Sequence, residues 1–228
     1  MRSKQFLSGF LVVTVLVGVL ASIPRSVAAK EPNAPDKISA ELIGQVFNAS
    51  PKISVQYGYV SYLSGVDTRA ITGPSGLLSE QSALLTFYSD TATEQVLNNG
   101  PMRVIDRRGE VTFYLNTKPT GNFSDPESFR QGVVVMKAML RHQVIINTMT
   151  NSFTAHFDCI ITSTEPFMLN GKTYQLSQPG QPFAITFSGH LNQNGPPSGF
   201  MAGFVTGLEL QFKSKSLTSA GFQAIGQI

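Results

Sequence analysis

Beyond residue 50, apolar residues recur at every second position through most of the chain. Ile53, Val55, Tyr57 and Tyr59 alternate with Ser54, Gln56 and Gly58, the period of an extended strand with one covered face. The longest such stretch runs from Gly132 to Met149. Val134, Met136, Ala138, Leu140, Val144 and Ile146 share one face, and Lys137, Arg141, Gln143 and Asn147 share the other. His142 alone interrupts the apolar face, while Val135, Met139 and Ile145 lie among the polar positions and imply that part of that side is covered too. A helix is disfavoured here, because the period is two and the Val and Ile side chains lose rotamer freedom in a helix.

The next stretch repeats the pattern, with Phe153, Ala155, Phe157, Cys159 and Ile161 opposed to Thr154, His156, Asp158 and Thr162. The two stretches are expected to pair as a hairpin about a two-residue loop at Thr150-Asn151. Asn170-Gly171 is the strongest short turn signal, since a type I′ turn needs positive φ at both central residues. Arg108-Gly109 reads as a second tight turn between Met102–Ile105 and Val111–Thr117, with Val104 opposite Phe113 and Arg107 opposite Glu110. That last pair reads as a surface ion pair of ~0–1 kcal/mol. Phe183, Ile185 and Phe187 mark a further strand, and Phe204, Thr206, Leu208, Leu210 and Phe212 a final one. Ile38 to Phe47 fits a short helix or a first strand equally well.

Eight to ten strands joined by short turns, with no helix of ordinary length among them, predict an all-β fold, either an antiparallel β-barrel or a β-sandwich. One such domain is expected over residues 51–228, with 30–50 as a flexible or peripheral N-terminal segment. Residues 1–29 follow a different rule. Arg2 and Lys4 precede an uncharged run from Phe6 to Ile23, and Val27-Ala28-Ala29 offers small residues for cleavage, the layout of an export signal. The domain is therefore expected to be secreted or periplasmic, with no stable membrane anchor once the leader is removed.

Charge supports no polyanion partner. Arg2, Lys4 and Arg25 account for the whole formal charge of +3, so the remainder is neutral and nucleic-acid binding is not expected. The single cysteine, Cys159, cannot form an intramolecular disulfide. The core must hold the domain together, and a chain 42% hydrophobic and 14% charged can supply one.

Candidate chemistry is sparse. The two-residue loop register would set His142 across from Cys159 with Cβ atoms ~5 Å apart, the beginnings of a thiolate–imidazolium site. His156 and Asp158, at i, i+2 on the opposite face, could reach one metal ion, with His190 as a third ligand. No spacing forces either arrangement, and neither a metal nor a cofactor is expected. Sixteen Phe and six Tyr with no Trp supply core filling or the lining of an apolar cavity. The lining candidates are Tyr57, Tyr59, Phe87, Phe113, His142, Phe153 and Phe157, because a barrel of about eight strands has room for one small ligand.

In outline the pattern resembles exported small-ligand barrels such as the lipocalins, and the barrels of dirigent proteins and allene oxide cyclases. The lipocalin Gly-x-Trp motif is absent from a chain without Trp, and no residue motif carries over a site from the other two. The functional expectation is a secreted, non-enzymatic β-domain that binds a small apolar ligand or a protein partner. An isomerase- or cyclase-like enzyme with an apolar cavity around His142 is the alternative. A third reading, an outer-membrane barrel, requires the apolar stripe to face lipid.

Overall fold

A computed structural model of the chain describes residues 38–74 and 76–212. The expected leader and residues 30–36 lie outside the described residues. The described chain is nearly all strand: β1 (Ile38–Ser50), β2 (Ile53–Leu63), β3 (Leu85–Asn99), β4 (Met102–Leu115), β5 (Val133–Asn147), β6 (Ser152–Thr164), β7 (Phe167–Leu169), β8 (Lys172–Leu176), β9 (Pro182–Leu191), β10 (Gly199–Thr206) and β11 (Leu210–Phe212). Eight of them close into an antiparallel barrel in the order β1-β10-β9-β6-β5-β4-β3-β2. The short strands form a separate sheet, β11-β8-β7, whose Leu176 lies with Leu63, Leu85 and Phe113 at one end of the barrel interior.

The two-residue period sorts side chains across the barrel wall. On β6 Phe153, Ala155, Phe157, Cys159 and Ile161 are buried while Thr154, His156, Asp158 and Ile160 are exposed. On β5 Met136, Ala138, Leu140, His142, Val144 and Ile146 point inward. Val134 leaves this set because a bulge intervenes: Phe113 pairs with Met136, yet Tyr114 pairs with Val134. The phase therefore flips at Val135, and Val134 packs on the outside. Phe87, Phe113 and Phe187 meet across the interior, with Phe87 6.2 Å from Phe113 and 5.9 Å from Phe187 between ring centroids. Each such ring contributes about 1.5–3 kcal/mol by leaving water.

β1 and β2 depart from the sequence expectation. Ile38–Ser50 is a full barrel strand that pairs with both β2 and β10, so residues 38–50 are integral to the barrel and not peripheral. On β2 the side chains of Tyr57 and Tyr59 pack outside, with Tyr88, Tyr114 and Phe129, while Gln56 faces the interior. The outer face is covered because residues 117–131 fold back over it. Phe129 is fully buried there, 5.3 Å from the Tyr57 ring, and its carbonyl accepts a 2.7 Å hydrogen bond from Thr86 Oγ1. Both faces of β2 are thus buried, and alternation alone could not say which one lines the barrel.

Arg108-Gly109 is no turn. Met102–Leu115 is one continuous strand, Gly109 pairs with Thr91 and Leu140, and the reversal lies at Gly100-Pro101, between Asn99 and Met102. Gly109 is needed for closeness: a Cβ there would collide with the backbone carbonyl of Asp90. Arg107 consequently does not face Glu110, which instead meets Lys137 at 3.4 Å. The expected last strand is also divided. β10 ends at Thr206, Gly207 breaks the phase with φ +80°, and Phe204 is 40% exposed while Met201 and Val205 point inward. Asn170 and Gly171 do adopt positive φ, +46° and +74°, and join β7 to β8 as expected.

Gly109→Ala forces the β3–β4 backbones apart and is expected to cost about 2–3 kcal/mol, the upper part of the overpacking range. Arg108→Ala next to it breaks only the exposed 2.9 Å pair with Glu94 and costs ~0–1 kcal/mol. Urea unfolding of the two variants checks this, and equal midpoints would contradict the continuous strand.

Candidate functional site

The interior is solid in one half and hollow in the other. Along β5 and β6 the inward residues change from Met136, Ala138 and Ile161, which are fully buried, to Val144, Ile146, Phe153 and Ala155, which line a cavity of about 180 Å³. Ile105, Leu191 and Met201 complete most of its apolar wall. Arg103 and Asn48, both exposed, also border it and mark its open end. Four residues further along β4, on the same inward face, Arg107 is only 8% exposed.

Arg107 and His142 are paired across β4 and β5 and form the polar floor of this cavity. The Arg107 Nε donates to Thr93 Oγ1 at 3.2 Å, and Nη1 lies 3.2 Å from His142 Nε2. A guanidinium has only donors, so Nε2 accepts and the neutral ring carries its proton on Nδ1. That Nδ1 is buried without a hydrogen-bond partner. The imidazole is held by stacking on Phe157, its register neighbour, at 4.5 Å and 9° between planes. Burial, and then the Arg107 charge, push the His142 pKa down to about 3. Burial also lowers Arg107 to about 10, so at neutral pH the arginine is a cation and the histidine is uncharged. Among the described residues no carboxylate pairs with Arg107. On the adjoining wall Gln56 is held by Ser54 Oγ and Ser89 Oγ, each at 2.6 Å.

The expected lining residues divide into three groups. His142, Phe153 and Phe157 border the cavity. Phe87 and Phe113 point into the barrel but fill the solid half. Tyr57 and Tyr59 lie outside, under residues 117–131. Arg107 was legible only through its phase with Ile105, Val111 and Phe113, and a turn read at residues 108–109 breaks that phase.

His142 and Cys159 are not directly opposed, because the loop is two residues longer than expected. Asn147 pairs with Ser152, and its Oδ1 accepts from the backbone N–H groups of Met149 and Thr150. The even shift keeps both residues inward but sets Cys159 against Leu140. Burial, and then the Asp158 charge, push the Cys159 thiol up to about 12. One group is held as a thiol and the other as a neutral imidazole, the opposite of an ion pair. His156 Nε2 and Asp158 Oδ1 do meet, at 3.3 Å on the exposed face. His190 pairs with Ser152 while His156 pairs with Thr186, about 13 Å further along β9 at ~3.3 Å per residue. No cluster of three metal-ligating side chains occurs among the described residues.

His142 gives stability a pH dependence with a defined sign. Its folded-state pKa of about 3 lies below the ordinary value near 6.5, so between those values the unfolded chain binds the extra proton. Its contribution is intact above pH ~6.5 and is lost as pH falls toward 3, at up to about 1.4 kcal/mol per pH unit. Relative to His142→Gln, the wild-type protein is expected to lose stability more steeply from pH 6.5 to 4. Denaturant midpoints at several pH values check this, and parallel curves would contradict a buried neutral imidazole.

Comparison with family models, with curated protein sequences and with solved structures gave no match, so function rests on the geometry.

Proposed function

We propose that the barrel is a non-enzymatic binding domain that holds one small, largely apolar molecule in the interior cavity lined mainly by β4, β5 and β6. The observation that carries this reading is the hollow itself, an apolar-walled space of about 180 Å³ in a barrel whose other half is packed solid with Phe87, Phe113 and Phe187. An engineered cavity of ~150 Å³ is known to admit benzene, so this one suits a body of about six to ten carbons. Export of the domain, argued from residues 1–29, belongs to the same proposal.

The electrostatics favour binding over catalysis. A general base works best with a pKa near the working pH, whereas His142 is held near 3 and Cys159 near 12. The sorting of side chains likewise favours an enclosed core over a lipid-facing one. The apolar stripes of β5 and β6 point inward, and although Met139, Ile145 and Ile160 are exposed, they are interspersed outside with Glu110, Lys137, Arg141, Gln143, His156 and Asp158. A membrane-spanning barrel needs the reverse.

A neutral ten-carbon dye, 1-naphthol, is expected to bind with a rise in the emission of its neutral form. Ala155→Phe fills the hollow and is expected to weaken that binding by about tenfold or more, the scale of the ~1.4 kcal/mol lost when one contact site is denied. Thr154→Phe, on the outer face, is expected to leave binding unchanged. Fluorescence titration decides: no binding by the wild-type protein, or equal binding by both variants, would contradict an interior site.

A further inference from the structure

The floor of the cavity is chemically mismatched to its walls. A wholly apolar ligand would seal Arg107, 8% exposed and still cationic, into a space lined by Ile105, Val144 and Phe157. Burying an unpaired cation costs several kcal/mol. Two of the guanidinium nitrogens are bonded to Thr93 and His142, and Nη2 has no protein partner among the described residues. Pairing with His142 offsets none of the charge, since the ring is neutral.

Resting on the binding role proposed above, we infer that the ligand is a medium-chain monocarboxylate that enters head first. Its carboxylate ion-pairs with Arg107 at the cavity floor, and its hydrocarbon body lies along Ile105, Val144, Ile146 and Phe153 toward the mouth. Three features of the molecule select this class. Guanidinium and carboxylate are planar groups of matching fork geometry, and a charge-assisted pair between them is about twice as strong as a neutral hydrogen bond. The charge sits at the closed end and the apolar wall at the open end, so an amphipathic molecule fits only with its head innermost. The polar groups around Arg107 are Thr93, His142 and, on the adjoining wall, Gln56; none is acidic. His142 acts as a positioning residue: stacked on Phe157 and accepting from Nη1, it fixes the guanidinium and leaves Nη2 for the head group. Arg103, four residues toward the mouth with its Nε on Asn98 Oδ1, adds a second positive charge along the entry path.

The test compares octanoate, 1-octanol and octyltrimethylammonium with the full chain by calorimetry. Octanoate is expected to bind at least about tenfold more tightly than octanol, the scale of one charge-assisted hydrogen bond at 1.5–3 kcal/mol, and the cation is expected not to bind. Arg107→Met should abolish the preference by weakening octanoate while octanol holds. Should that variant fail to fold, 13C NMR of carboxyl-labelled octanoate on the wild-type protein gives the same answer, since the bound carboxyl is expected to stay ionised at pH values where free octanoate is protonated. Equal binding of octanoate and octanol, or an unaltered preference in Arg107→Met, overturns the carboxylate assignment and leaves the cavity reading standing. Failure of all three probes overturns the assignment; if the neutral dye also fails, the binding role falls with it.

Discussion

A closed sheet of eight strands has an interior just wide enough for inward side chains from opposite walls to meet. Every other property of this molecule follows from which residues the two-residue period sends into that space. Where the inward residues are Phe87, Phe113, Phe187 and Met136, the walls touch and the barrel is solid. Where they shrink to Ala155, or where an arginine takes the place of an aliphatic chain, the walls do not meet and a cavity remains. The same constraint acts on Gly44, the glycine of β1. A Cβ at Gly44 would come within 2.5 Å of the Tyr57 carbonyl oxygen, 2.9 Å of the Phe87 ring and 3.0 Å of the Met201 methyl, so these two side chains can reach into the centre only because this stretch of wall is bare.

The polar floor is the costly part of this arrangement. Arg107 keeps its charge in a largely apolar space, His142 gives up its own, and the histidine is left with a buried donor that nothing accepts. Neither residue strengthens the core as an aliphatic side chain would. Their placement on facing inward positions of β4 and β5 therefore points to a role in what the cavity holds.

Fold class was readable because its signal is cumulative. The β5 and β6 faces, the Asn170-Gly171 turn and the β9 run each follow from local rules, and a single misplaced loop residue does not alter them. The site was less readable because it depends on phase. The inward side of β2 was ambiguous, since Tyr57 and Tyr59 bury on the outside beneath Phe129, a contact 70 or more residues away in sequence. Gly109 reads locally as a turn, and only the approach of the Asp90 backbone shows why glycine stands there. That reading split β4 and carried Arg107 out of register with Val111 and Phe113. The even shift in the β5–β6 loop was harmless by comparison, because it kept His142 and Cys159 on the inward face.

Thiol labelling along β6 tests the sorting of side chains most directly. Single cysteines placed at successive positions from 154 to 161, in a Cys159→Ser background apart from the native site, are titrated with a small thiol reagent in the folded protein. Fast reaction at the even positions, with 159 and 161 in the solid half protected until the protein unfolds, is the result the account predicts. Uniform reactivity along the strand, or protection of the even set, would contradict it.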